Sequence, residues 1–229
     1  MKQKYLIAAA LSIAAIACVL FIAVKYSADK PVQLPESLAS GTASITYGTH
    51  FRTLDNPLAT DTNGVSVMEF FWYGCPHCQA FEPSVKAWLK TAPSDVVFSL
   101  SPVGWNDATR LHAAMYFVGL NTNNPAKLHD ELFELVIGMR QERSLDKQIE
   151  KAAALFAQHG IDAASLKASL QSAEVTAAVT RAEQQMRVAE VAATPSVLVG
   201  GRYMVLNNEA VAEAGVFNVV DALIENARQ

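Results

Sequence analysis

The chain has 229 residues, enough for one large domain or two small ones at roughly 100–200 residues each. Apolar residues make up 51%, which excludes disorder as a description of the whole chain. With 18 basic and 22 acidic residues there is no positive excess to hold nucleic acid. Three cysteines in a chain this long do not make a disulfide-stapled miniature fold.

Residues 1–30 carry four lysines and one acid, leaving 14 basic and 21 acidic residues for the remainder, a net −7. Tyr5 to Val24 is a run of 20 residues in which Ser12 is the one strongly polar member. As a helix it would reach about 30 Å, a bilayer core. Three readings stand side by side. It is an uncleaved membrane anchor, favoured by its length and by Lys2 and Lys4 before it. It is a cleaved signal, for which Tyr26-Ser27-Ala28 is a poor site. Or it carries a lipid on Cys18, against which Val19-Leu20-Phe21-Ile22 continues the apolar run. Each sends the rest of the chain out of the cytoplasm.

Residues 27–44 hold Pro31, Pro35 and Gly41 without periodicity and read as a linker, so that the folded domain begins at 45. Ile45–Leu54 reads as a strand ended by Asp55-Asn56-Pro57. Val65–Trp72 is apolar on both faces and suits a central buried strand. A helix is expected over 76–91, with a kink at Pro83, and a strand over 96–103. Helical spacing follows over 108–120, from Pro125 through Leu128, Leu132, Leu135 and Met139, then over 148–159, 162–170 and 174–192. Ser196–Val199 and Arg202–Leu206 flank Gly200-Gly201 as a hairpin. A last helix is expected over 209–226. The order defines an α/β domain over 45–229 with a helical insertion at about 106–192.

Cys75-Pro76-His77-Cys78 follows the buried strand and opens a helix. Two thiols so placed are the geometry of a dithiol active site. At a helix N-terminus, free N–H groups and the dipole favour a thiolate, so Cys75 is expected to be the acidic, nucleophilic thiol. Cys78, one turn in, is the more buried resolving partner. Pro76 suits the first turn and withholds a donor, and His77 adds partial positive charge. Other uses of the pair are weaker. A zinc site needs more ligands than His50, His112, His129 and His159 supply at useful spacing, so no metal is expected. Gln79 stands where haem attachment requires His. A bridge over two intervening residues would stabilise little as a structural crosslink. Thr194-Pro195 at the entry to an apolar strand marks a special backbone position, such as a cis bond or an edge-strand proline.

Glu69-Phe70-Phe71, Cys75-Pro76-His77-Cys78, Phe81-Glu82, Thr194-Pro195 and Val199-Gly200-Gly201-Arg202-Tyr203 together resemble the DsbA family of periplasmic thiol oxidases. The resemblance covers about 45–228. It implies a thioredoxin fold with a helical insertion, in a thiol–disulfide oxidoreductase that introduces disulfides into exported proteins through Cys75 and Cys78. It implies an oxidising couple, Pro195 as a cis-proline in the substrate loop with Thr194, and Glu69 as a buried acid passing protons to Cys78. No cofactor is implied. The implied partners are unfolded exported clients with free cysteines and a quinone-linked membrane reoxidase, with no nucleic acid, and the implied form is a monomer. The implied location is the periplasm, and the apolar run at 5–24, read on its own length, is the tether. Two positions depart from the usual pattern. Thr194 stands where Val is typical, and the strand over 96–103, around Leu100, lacks the lysine that pairs with the acid. An isomerase or reductase of the same fold is the alternative.

Overall fold

The computed structural model describes residues 37–40, 43–60 and 63–229. The anchor expected over 5–24 lies outside them. No helix among the described residues is long and apolar enough to cross a membrane.

Strands β1 (Ser37–Ser40) and β2 (Ala43–Thr46) pair antiparallel, Leu38 opposite Ile45. The linker expected over 27–44 therefore gives way to a ribbon at its C-terminal end. Backbone pairing of a Ser/Ala-rich segment leaves no hydrophobic period to read. The strand expected over 45–54 is likewise broken. Gly48, at φ +78, turns the chain after β2, and β3 (Phe51–Thr53) joins a different sheet.

That sheet has five strands in the order β3-β7-β6-β4-β5, with β4 (Val65–Phe71) at its core and β5 (Val96–Pro102) beside it in parallel. On the other side of β4 runs β6 (Ser196–Val199), antiparallel, followed by β7 (Tyr203–Val205). Gly200 and Gly201, at φ +59 and +64, make the β6–β7 turn. A Cβ on Gly201 would lie 2.3 Å from the Leu58 carbonyl oxygen, so the close approach needs glycine.

Helix α1 (Pro76–Trp88) continues through Pro83 and connects β4 to β5. Five helices, α2 (Asp107–Gly119), α3 (Pro125–Gly138), α4 (Leu145–Gln158), α5 (Ala163–Leu170) and α6 (Ala173–Val188), stand between β5 and β6. Each has a side-chain N-cap: Asn106, Asn124, Ser144, Asp162 and Ser172 accept from first-turn N–H groups. The helical insertion is thus realised over 107–188. The single last helix expected over 209–226 is two, α7 (Glu209–Ala214) and α8 (Val216–Ala227), broken where Gly215 takes φ +81.

The alternation of β4 divides the core. Phe71 joins Met115, Leu128, Leu132, Phe133 and Phe156 of the insertion. Phe70 points the other way, into a cluster with Met186, Leu198 and Met204. Cys75 and Cys78 belong to the first cluster, so the insertion forms one wall of the dithiol site.

Candidate active site

The C-terminal end of β4 delivers the chain to Trp72-Tyr73-Gly74, and Cys75 becomes the N-cap of α1. The Cys75 amide donates to the Trp72 carbonyl at 2.9 Å. A Cβ on Gly74 would fall 2.3 Å from the Trp72 ring, so glycine is needed at this tight approach. Cys75 has no side-chain capping bond. Pro76 supplies no N–H, which leaves the amides of His77 and Cys78 as the first free donors of the helix. Pro76 and His77 are exposed, Cys75 is 8% exposed and Cys78 fully buried. Both thiols are free.

The opposing wall comes from 119 residues further on. The Thr194–Pro195 peptide bond is cis. Phe70 pairs with Ser196 across the β4–β6 ladder, which brings the preceding loop over the helix start. The Cys75 Sγ donates to the Thr194 carbonyl oxygen at 3.3 Å. Ser196 Oγ bonds the Ala193 carbonyl at 2.8 Å, and Asn207 Nδ2 donates to the Pro195 carbonyl at 3.0 Å. At the far end of this loop Arg52 on β3 donates to the Ala189 carbonyl at 2.7 Å. Beside Pro195 an apolar cleft of about 350 Å³ opens between Phe81, Val197, Val205, Leu206, Val211 and Val216.

Burial pushes the Cys78 thiol far above its ordinary value, against the opposing pull of the Trp72 backbone and the Thr194 side chain. Glu69 on β4 is fully buried, and neither carboxylate oxygen has a hydrogen-bond partner among the described residues. Its pKa is pushed up to about 8, first by burial, then by the charges of Glu82 and Cys75. Its neighbours across the ladders are Leu100 on β5 and Val197 on β6. Lys86 and His129 gather instead on Glu82 of α1. Lys86 Nζ lies 3.6 Å and His129 Nε2 3.3 Å from its carboxylate.

Two further networks frame the dithiol, and sequence reasoning assigned neither. His129 on α3 also meets the Tyr73 hydroxyl at 2.7 Å through Nδ1. Trp72 Nε1 donates to His112 Nδ1 at 2.9 Å, and their rings stack at 6.2 Å. An indole N–H only donates, so His112 carries its proton on Nε2 and gives it to Gln148 Oε1 at 2.8 Å. Burial keeps that imidazole below its ordinary value. The spacing Cys78, Glu82, Lys86 along one face of α1 was the available sequence signal. The histidines, on separate helices, had none.

A buried strand, a Cys-x-x-Cys pair at the helix start and a cis-proline loop closing over it define a thiol–disulfide oxidoreductase of thioredoxin fold with a helical insertion. Residues 61–221 match the family model described as thioredoxin. The thiol:disulfide interchange protein DsbA of Bordetella parapertussis is 36% identical over 178 residues, covering 77% of this chain and 83% of the relative. Among solved structures, DsbA of Pseudomonas aeruginosa superposes with a TM-score of 0.65 at 25% identity, over 80% of this chain and 94% of that one. The oxidoreductase NmDsbA3 of Neisseria meningitidis does so with 0.60 at 28% identity, over 80% and 97%. The chain belongs to the DsbA family of thiol:disulfide interchange proteins.

Proposed function

We propose that the protein oxidises thiols of exported client proteins at the Cys75–Cys78 pair. A client thiolate attacks Cys75 Sγ of the oxidised pair, the Cys75–Cys78 bond breaks, and Cys78 leaves. A second client thiolate then attacks the mixed disulfide and releases Cys75. The client loses two electrons and the enzyme gains them. The observation that carries this reading is the placement of Cys75 at the N-cap of α1, under the Thr194 carbonyl, with Cys78 sealed behind it. The first free amides of α1, those of His77 and Cys78, follow Cys75 directly at the helix start, and His77 lies exposed beside it.

Cys78 leaves into a site that disfavours its anion, so it needs a proton at once. Glu69, buried and protonated through neutral pH, is the donor in this proposal. The apolar cleft beside Pro195 suits an extended, unfolded client segment, with Pro195 in its wall.

The 20-residue apolar run at 5–24 supports a tether to the inner membrane, with the domain in the periplasm and a quinone-linked membrane oxidase restoring the disulfide. Resistance of the full chain to carbonate extraction tests the tether. The redox direction is tested by trapping thiols in the cell with an alkylating reagent. An oxidised Cys75–Cys78 pair at steady state is expected, and a mostly reduced pair would replace this reading with that of a reductase or isomerase.

A further inference from the structure

Glu190, just after α6, is the one non-glycine residue with positive φ among the described residues, at +52. A side chain makes that conformation unfavourable, and glycine usually fills this place at a helix end. The turn itself is complete. The Glu190 amide donates to the Arg187 carbonyl at 3.1 Å, and the Val191 amide to the Met186 carbonyl at 3.0 Å. Val191 and Met186 share one buried cluster, the apolar contact that accompanies such an ending. The carbonyls of Ala189 and Glu190 are left over. Arg52, on the edge strand β3, takes both. Its Nη2 donates to Ala189 at 2.7 Å and to Glu190 at 3.3 Å, while Nη1 meets the Glu190 carboxylate at 3.0 Å. A cation at the C-terminal end of α6 also suits the helix dipole.

This end of α6 feeds the loop that faces the dithiol. From Ala189 to Pro195, six of the seven carbonyls accept from side chains. Those of Ala189 and Glu190 accept from Arg52, and those of Val191, Ala193, Thr194 and Pro195 from Trp105, Ser196, Cys75 and Asn207. Side chains hold this loop where a ladder would hold a strand, and Arg52 fixes where it starts. We propose that Arg52 is a positioning residue for client oxidation: by capping α6 from β3, it holds Glu190 in its unfavourable conformation and so sets the Thr194 carbonyl in place over Cys75. The inference rests on the reading of the protein as an oxidant of client thiols. A client segment that brings a sulfur to Cys75 must pass that carbonyl, 3.3 Å from Cys75 Sγ, and the cleft beside Pro195. It therefore feels the position of the loop. A small dithiol needs only the sulfur.

The test measures rate constants for reduction of the disulfide form of the full chain by an unfolded two-cysteine peptide and by dithiothreitol. Their ratio is the readout, because any loss of active protein cancels in it. Arg52→Met keeps the aliphatic stem and removes the donors. The ratio of peptide to dithiothreitol should fall about fivefold, the worth of one net hydrogen bond. Glu190→Ala keeps Arg52 on both carbonyls and removes only the exposed ion pair, so its ratio should match the wild type. Adding Glu190→Gly to Arg52→Met relieves the conformation that needed the cap, and the ratio should recover by at least half. Should Arg52→Met not fold, Arg52→Gln takes its place with the same expectation, since its amide is two bonds shorter and cannot reach both carbonyls. An unchanged ratio in the Arg52 variant overturns the proposal even if the protein melts at a lower temperature, because the cap then serves stability alone. So does a Glu190→Ala ratio as low as that of Arg52→Met, or an added Glu190→Gly that restores nothing. A wild type that does not react with the peptide defeats the oxidase reading, and this inference with it.

Discussion

Replacing Glu69 by Gln should make the reduced protein more stable at alkaline pH and leave it nearly unchanged in acid. The carboxyl has an ordinary value of 4.5 and is pushed up to about 8 in the fold, chiefly by burial. A group whose folded value is raised binds its proton more tightly in the native state. Its contribution is therefore fully present below 4.5, falls through the window up to 8, and is gone above it. At about 1.36 kcal/mol per unit, the loss is about 3 kcal/mol at pH 7 and approaches about 5 kcal/mol above pH 8. That is a large share of a typical domain stability of about 5–15 kcal/mol. Gln cannot ionise, so it escapes the loss while matching the neutral acid in shape. Urea unfolding of both reduced proteins at pH 5 and pH 8, followed by circular dichroism, measures the difference directly. The gap between variant and wild type should widen by several kcal/mol between the two pH values. A gap that stays constant would refute the reasoning, because it would mean that Glu69 is not held neutral by its surroundings.

Four other outcomes are expected. Cys75→Ser should abolish client oxidation, while Cys78→Ser should leave a reactive Cys75 that accumulates long-lived mixed disulfides, visible on non-reducing gels. Thr194→Val keeps the carbonyl that accepts from Cys75 but removes the side chain that lowers the Cys78 thiol. The Cys78 thiol should move further up, seen as slower alkylation at alkaline pH. Gly201→Ala places a Cβ against the Leu58 carbonyl at φ +64 and should cost about 1–3 kcal/mol, read as a lower midpoint in thermal unfolding.

The dithiol and its setting were legible along the chain because each signal is local. A run apolar on both faces marks β4, and two cysteines one helical turn apart mark the start of α1. Proline before a short apolar strand marks the loop that faces them. The insertion was readable too, since five segments repeat apolar residues at helical spacing, one of them opened by Pro125. Errors fell where backbone conformation outweighed side-chain period. Gly215 splits the last helix and Gly48 ends β2, both through positive φ. The pairing of β1 with β2 depends on backbone hydrogen bonds in a stretch without hydrophobic alternation.

The sequence by itself determined the chemistry: which sulfurs react, on what fold, and with which loop opposite them. Only the tertiary structure decided which polar groups pack behind them. The absence of a lysine around Leu100 could be noted from the chain, but not that Glu82 would take Lys86, on the next turn of α1, and His129, on a helix of the insertion 47 residues beyond it. Tyr73, which orients that histidine, looked like one more aromatic residue under the motif. Charge interactions act through space and depend on burial. Their partners are chosen by how β4, α1 and α3 pack, and no period along the chain records that choice.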